Sequence, residues 1–373
     1  MNLYNAFVME LLRLVFLGVR LLDRRPPPSK DIRSARSVIV FSTTAIGDTL
    51  MNTPAIRALR KALPGARLTA VADRRRADLL RHNPHIDALV IYPGKFRKLF
   101  SLFKKLRAAR PDWAVVLHGN DPDIPILAYL SGAPGRAGWR ESRMSFLFTH
   151  APTIDRDLPF VRRRLDLLAE LGVPEEGERT EITIPPDARE AAARRLAAAG
   201  VDGAEEIVAF HPFGSRRSKW WPEGNGRTFV QRLTRETGRR TVVLGGEKEK
   251  ASAEAFFGRM DERPVVLCGE MGLLETGALL LRCAALVTTD SGPMHLGFAL
   301  DVPTVALFGP EDFRHYGVGH REGKAVFRMG EAPCERPCKK KDCDVEGHPC
   351  MASIAAGPVL DAMQSLLARP TPV

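Results

Sequence analysis

A chain of 373 residues, 45% hydrophobic and 27% charged, has the length and balance of two ordinary globular domains. Nothing in it is repetitive, collagen-like or low in complexity, which excludes a fibrous or largely disordered protein. The net charge of +11 suits an acidic partner, whether nucleic acid, anionic lipid or a phosphorylated or carboxylated small molecule; a basic solvated surface would give the same sum.

The first element is an apolar stretch over residues 3–22 (LYNAFVMELLRLVFLGVRLL), interrupted by Glu10, Arg13 and Arg20. At helical spacing these charges fall near one face, with Leu3, Phe7, Leu11, Leu14, Val15 and Leu22 elsewhere around the helix. Charges in mid-span argue against a transmembrane helix. A signal peptide is disfavoured too, because no basic residue precedes the run and no small-residue cleavage site follows it. Two readings stay open: an amphipathic helix lying on a membrane, or a helix covering apolar surface of its own protein. The basic, proline-rich residues 23–29 (DRRPPPS) read as a stiff spacer.

From Val38 onward short apolar runs alternate with amphipathic segments, the pattern of parallel α/β layers. The first half predicts strands at 38–41, 68–72, 88–92 and 113–118, with helices near 54–63, 77–81 and 96–109. Thr53 reads as a cap ahead of Pro54, and Pro64-Gly65 stops that helix. The second half predicts strands at 207–211, 241–244, 265–268, 286–289 and 304–308, and helices near 227–237, 248–259, 273–283 and 294–300. The expected division is a helix and linker over 1–30, a Rossmann-like domain over 31–185, and a second over 186–349. A C-terminal helix over 350–373 is expected to return to the first domain. The fold class is α/β, with two Rossmann-like domains facing across a cleft and ligands beyond the carboxyl ends of the strands.

Four loops stand at such ends. The first, 42–48, lacks both a dinucleotide glycine fingerprint and the Gly-Lys-Ser/Thr of a P-loop, but supplies Asp48 beside Gly47. Asp48 could serve as a general base toward an incoming hydroxyl, or merely cap a helix. The second, 211–222, offers Gly214 and Ser215 as phosphate donors, with Arg216, Arg217 and Lys219 adding charge before Trp220-Trp221-Pro222. The third carries Gly245-Gly246-Glu247, where the carboxylate suits ribose hydroxyls, and farther on Met271 as a neighbour for a base. The fourth is Asp290-Ser291-Gly292-Pro293-Met294-His295, a buried strand opening into a helix whose amides and Ser291 hydroxyl suit phosphate, with His295 as a donor to a diphosphate.

In order and spacing these loops resemble family 9 of the glycosyltransferases, the ADP-heptose:lipopolysaccharide heptosyltransferases, from Val38 to the C-terminus. Ile46-Gly47-Asp48, Asn83-Pro84-His85-Ile86-Asp87, Lys219-Trp220-Trp221-Pro222 and Asp290-Ser291-Gly292-Pro293-Met294-His295 carry the resemblance. It implies a GT-B fold and inverting transfer of a heptose-type sugar from ADP-heptose, with no metal or other cofactor. Asp48 would be the base; Gly214, Ser215, Lys219, Glu247, Met271, Asp290, Ser291, Gly292 and His295 would hold the donor. An anionic glycolipid acceptor is expected on the first domain, at Arg74, Arg75 and Arg76 after the second strand and Arg136, Arg140 and Arg143 after the fifth.

The alternatives are another nucleotide sugar in the same family or a sugar-nucleotide epimerase of the same fold. Nucleic acid is not expected as a partner, because no aromatic-interleaved basic strip is present. Cys268 and Cys283 sit in apolar runs as core thiols, and cysteine usage favours a reducing cytoplasm, with peripheral contact at the inner membrane as one reading of the first helix. Cys334, Cys338, Cys343 and Cys350, with His348 nearby, lack standard zinc spacing; metal, redox and plain-thiol readings all stay open.

Overall fold

The computed structural model describes residues 3–23, 31–94, 97, 99–118, 122–316, 324–331 and 333–368. The spacer expected at 23–29 therefore lies, beyond Asp23, outside the described residues. The chain forms two compact units, 1–178 and 179–373, so the expected joint at 185–186 falls inside the second.

The first unit is built on strands β1 (Ser37–Ser42), β2 (Arg67–Asp73), β3 (Ala88–Tyr92), β4 (Trp113–Val116) and β5 (Gly135–Ala137), all parallel, in the order β3-β2-β1-β4-β5. Continuous runs such as Val38–Phe41 are buried on both faces, as a parallel sheet covered by helices demands. The helix Thr53–Ala62 buries Ala55, Ile56, Ala58 and Leu59. Its cap is Asn52, not Thr53, whose hydroxyl instead donates to Leu50 O at 2.7 Å. A short helix, Ile46–Met51, precedes it, so Asp48 sits in a first helical turn without serving as the cap.

The N-terminal helix Leu3–Leu21 satisfies one of its two readings directly. Leu12 and Phe16 pack on Ile126, Tyr129, Met144 and Leu147, with the Phe16 and Tyr129 rings edge-on at 6.3 Å. No helix among the described residues is long and apolar enough to cross a membrane.

The second unit carries β6 (Ile207–His211), β7 (Arg240–Val243), β8 (Val265–Val266), β9 (Ala285–Thr289), β10 (Thr304–Phe308) and β11 (Ala325–Met329), ordered β11-β10-β9-β6-β7-β8. Edge strand β11 was not among the expected elements. The helix Glu223–Thr237 ends at Gly238, whose φ of 70° gives the left-handed turn that a side chain would resist. The last helix, Ala356–Leu367, is part of this unit. Val359, Leu360, Met363 and Leu366 share a core with Phe229, Val230 and Leu233, so its apolar stripe is covered within this unit.

Both sheets have one strand order, running outward in each direction from a central pair. That pair is β1 and β4 in the first unit and β6 and β9 in the second. Chain direction of travel reverses between these strands, leaving a crevice beyond their carboxyl ends where doubly wound sheets take ligands.

Candidate functional site

In the first unit, the crevice residues follow β1 and β4. His118, two residues past β4, lies with Nε2 3.0 Å from the Thr43 amide and 3.1 Å from its hydroxyl, joining the two loops. Asp48 projects beside them and lines a cavity of about 210 Å³ with His118, Trp139, Glu141, Arg156, Arg163 and Arg164. Its carboxylate is 35% exposed and accepts from the buried Arg164 guanidinium at 2.9 Å. Arg164 is anchored further by Phe160 O at 2.7 Å and by Asn52. Burial pulls the Arg164 pKa down while Asp48 opposes it; a guanidinium stays protonated regardless. A fixed cation thus orients the carboxylate toward the cavity, where a general base would have to stand.

None of Arg156, Arg163 and Arg164 was expected at the site. For Arg164 a signal existed: with Val161, Leu165 and Leu168 it falls on the buried stripe of the helix Phe160–Ala169, where an arginine must have a partner.

The arginines expected to bind acceptor separate into three situations. Arg136 lies within β5, not after it, and is 1% exposed. Its guanidinium donates to Leu147 O and Ala133 O at 2.7 Å and to Pro134 O at 3.1 Å, and lies over the Tyr129 ring. Its Nε and Nη1 are thus engaged by carbonyls of its own unit. Arg74 and Arg75 line a different cavity, of about 440 Å³, with Asp73, Pro93, Gly94 and Arg97. Arg75 and Arg76 both pair with Asp73, at 3.2 and 2.9 Å; burial raises that carboxyl's pKa, but the arginines outweigh it and hold it below the ordinary value. Arg140 and Arg143 are exposed, and Arg140 Nε donates to Ala151 O at 3.2 Å.

In the second unit, the loops after β6 and β9 meet at Lys219 and Asp290. Lys219 Nζ is 2.5 Å from Asp290 Oδ2 and 3.4 Å from Glu311 Oε1, and Arg216 also pairs with Glu311. Lys219 and Asp290 are both nearly buried, so the pair is held rather than hydrated. Gly214 is the backbone that allows it: a Cβ there would lie 2.8 Å from the Lys219 Cβ. Ser215 stands exposed next to it.

The Lys219 loop is braced by the cysteine-rich segment, a relation with no signature in the sequence. Ser218 N donates to Lys341 O at 3.0 Å, Ser218 Oγ to Lys340 O at 2.7 Å, and His348 Nε2 lies 2.9 Å from Ser218 O. Cys334, Cys338, Cys343 and Cys350 line one cavity of about 300 Å³ beside this loop, all as free thiols. Among the described residues, no group of three or more His, Cys, Asp or Glu is placed to hold a metal ion.

The helix Gly292–Ala299 opens directly after Asp290, with Ser291 as its cap residue. The Ser291 hydroxyl has partners within its own unit. It donates to Thr289 O at 3.0 Å and lies 3.0 Å from His211 Nδ1. Burial pushes the His211 pKa down to about 3, leaving a neutral ring there. The amides of the helix N-terminus at Gly292 remain as the anion-directed feature. His295 is buried on the same helix, its ring 5.6 Å from Tyr316 and 6.3 Å from Phe298. Tyr316 in turn donates to Asp290 at 3.5 Å. Glu247 is exposed and folds over Gly269, where a Cβ would lie 2.3 Å from its carboxylate; Met271 is half-buried three residues past Cys268.

Two doubly wound parallel sheets, with a cation-anchored carboxylate at one switch point and a lysine beside a helix N-terminus at the other, define a glycosyltransferase of the GT-B class. Residues 99–348 match the model of glycosyltransferase family 9 (heptosyltransferase), and the chain belongs to that family. It is 27% identical over 285 residues to lipopolysaccharide heptosyltransferase 3 of Escherichia coli, covering 71% of this chain and 81% of that one. Its fold is similar to the crystal structure of a family 9 glycosyltransferase from Veillonella parvula, with a TM-score of 0.80, 25% identity, and 92% and 99% of the two chains covered. It also matches the fold of the Escherichia coli ADP-heptose lps heptosyltransferase II, at a TM-score of 0.73 and 22% identity, over 89% and 98% of the chains.

Proposed function

We propose that the protein transfers a heptose-type sugar from ADP-heptose to an anionic glycolipid acceptor of the lipopolysaccharide core, with inversion and without a metal ion. The observation that carries the reading is Asp48, held by Arg164 in a cavity also lined by Arg156 and Arg163. Three arginines around one carboxylate suit an acceptor bearing phosphates or carboxylates, with Asp48 as the group that takes a proton.

In this scheme the acceptor hydroxyl gives its proton to Asp48 as its oxygen attacks the anomeric carbon. The bond from that carbon to the ADP diphosphate breaks on the opposite face, and the pair of electrons leaves with the diphosphate. Lys219, already aimed by Asp290 and Glu311, together with the Gly292 amide and His295, stabilises that departing charge. Glu247 and Met271 are assigned to the ribose and base. Similar solved structures carry ADP-heptose in their names, which supports that donor, and the arginine-rich cavity supports an anionic acceptor. The expected workplace is the cytoplasmic face of the inner membrane, where a lipid-anchored acceptor is presented.

Calorimetric titration with ADP, UDP and GDP tests the donor half. Selective ADP binding is the expected result. Preference for UDP or GDP would keep the transferase and move the donor to another nucleotide sugar; binding of none of the three would contradict the donor site as drawn.

A further inference from the structure

The N-terminal helix Leu3–Leu21 is seated on the first unit by one side only. With successive residues 100° apart, the seated Leu12 and Phe16 lie opposite Leu14, Leu21 and the flanking Leu11 and Leu17. That outer side is apolar yet bare: Leu14 is 59% exposed and Leu21 81%, with Leu22 equally exposed just past the helix end. Most of the strongly exposed large hydrophobic side chains among the described residues stand on this one element. Leaving such a leucine in water forgoes about 1.5–3 kcal/mol relative to burying it, so a contiguous ridge of them calls for a cover.

Three observations indicate the cover. The helix is not long and apolar enough to span a bilayer, and the one carboxylate on its outer side, Glu10, is ion-paired with Arg13 at 2.9 Å. The sequence directly after the helix carries Arg24, Arg25 and Lys30. The chain as a whole carries +11, which opposes pairing with a second copy and favours an anionic surface. An apolar face too short to span, followed by basic residues in a cationic protein, has the chemistry of a helix lying in the headgroup region of an anionic membrane.

We propose that the outer face of this helix, through Leu11, Leu14, Leu17, Leu21 and Leu22, is the surface by which the protein docks on an anionic lipid bilayer. Leu12 and Phe16 stay on the protein, so the helix remains folded in place and transmits the attachment to the first unit. The inference rests on the glycolipid reading for its purpose, since docking holds the enzyme where a lipid-anchored acceptor lies, but its physical basis is independent of the donor.

Vesicle flotation with the full chain tests it, comparing vesicles that contain phosphatidylglycerol with vesicles of phosphatidylcholine alone. The wild type is expected to float with the anionic vesicles and to bind them less at high salt. A Leu14→Glu/Leu21→Glu variant changes only exposed positions; it should lose about tenfold or more of that binding. Its ADP titration should match the wild type, which separates failure of docking from failure of the donor reading. A wild type that stays behind in the soluble fraction, or a double variant that floats equally well, would overturn the proposal. So would a wild-type dimer that the same substitutions dissociate without any vesicle binding, because the face would then belong to a second copy.

Discussion

Asp48→Asn is expected to lower kcat by about 10²–10⁴-fold, the range that loss of a positioned general base produces. The substitution keeps the shape of the side chain and an oxygen that can accept from Arg164, so the fold and the cavity should persist. What it removes is the basic lone pair and the charge. ADP affinity should be unchanged, because Asp48 belongs to the first unit and the proposed donor residues to the second. Steady-state rates combined with ADP titration check this. A variant that retains most of its kcat would show that another group takes the proton. One that loses ADP binding as well would point to a structural rather than a catalytic loss.

The second large effect is expected at Lys219. Lys219→Ala should reduce ADP affinity and lower kcat/KM by about 10²–10³-fold, the loss typical of removing one preorganised contact to developing charge. It should also destabilise the second unit by about 3–5 kcal/mol, because Asp290 would be left buried with its partner gone. The two consequences separate in a Lys219→Met/Asp290→Asn double variant. Removing both charges relieves the unpaired carboxylate, so thermal stability should recover toward wild type while ADP affinity stays low. Recovery of both would mean that Lys219 acts only through the fold. An unchanged affinity in the single variant would remove Lys219 from the donor site.

How far these residues could be read from the sequence depended on the range of the contacts that define them. The strands were legible because a sheet buried on both faces leaves unbroken apolar runs such as Val38–Phe41 and Ile207–Phe210. Two consecutive sets of such runs, separated by amphipathic helices, implied two doubly wound units. The loops bearing Asp48, Lys219 and Asp290 were legible because a switch point needs glycine, a helix start and charge within a few residues. Contacts between distant segments were not. Arg164 reaches Asp48 across 116 positions, and the segment 340–348 meets Ser218 mostly through backbone carbonyls, which every residue possesses.

Two further contacts lay beyond the sequence for the same reason. Arg136 was one arginine among many, and nothing in its neighbourhood announced that the carbonyls of Ala133, Pro134 and Leu147 would close around it. The last helix displayed an apolar stripe, but a stripe states only that something covers it; the structure supplies Phe229 and its neighbours. Ser291 illustrates a subtler limit. Its place at the start of a helix was legible, whereas its hydrogen bond to Thr289 O depends on the geometry of one turn.

The central claim is tested most directly by incubating the wild-type protein with ADP-heptose, in the presence of EDTA, with and without a lipopolysaccharide core acceptor that lacks heptose. The account predicts ADP release that depends on the acceptor, an acceptor heavier by one heptose, and inversion at the anomeric carbon in the product. Acceptor-independent consumption of the donor, transfer that stops with EDTA, or a product that retains the anomeric configuration would contradict it.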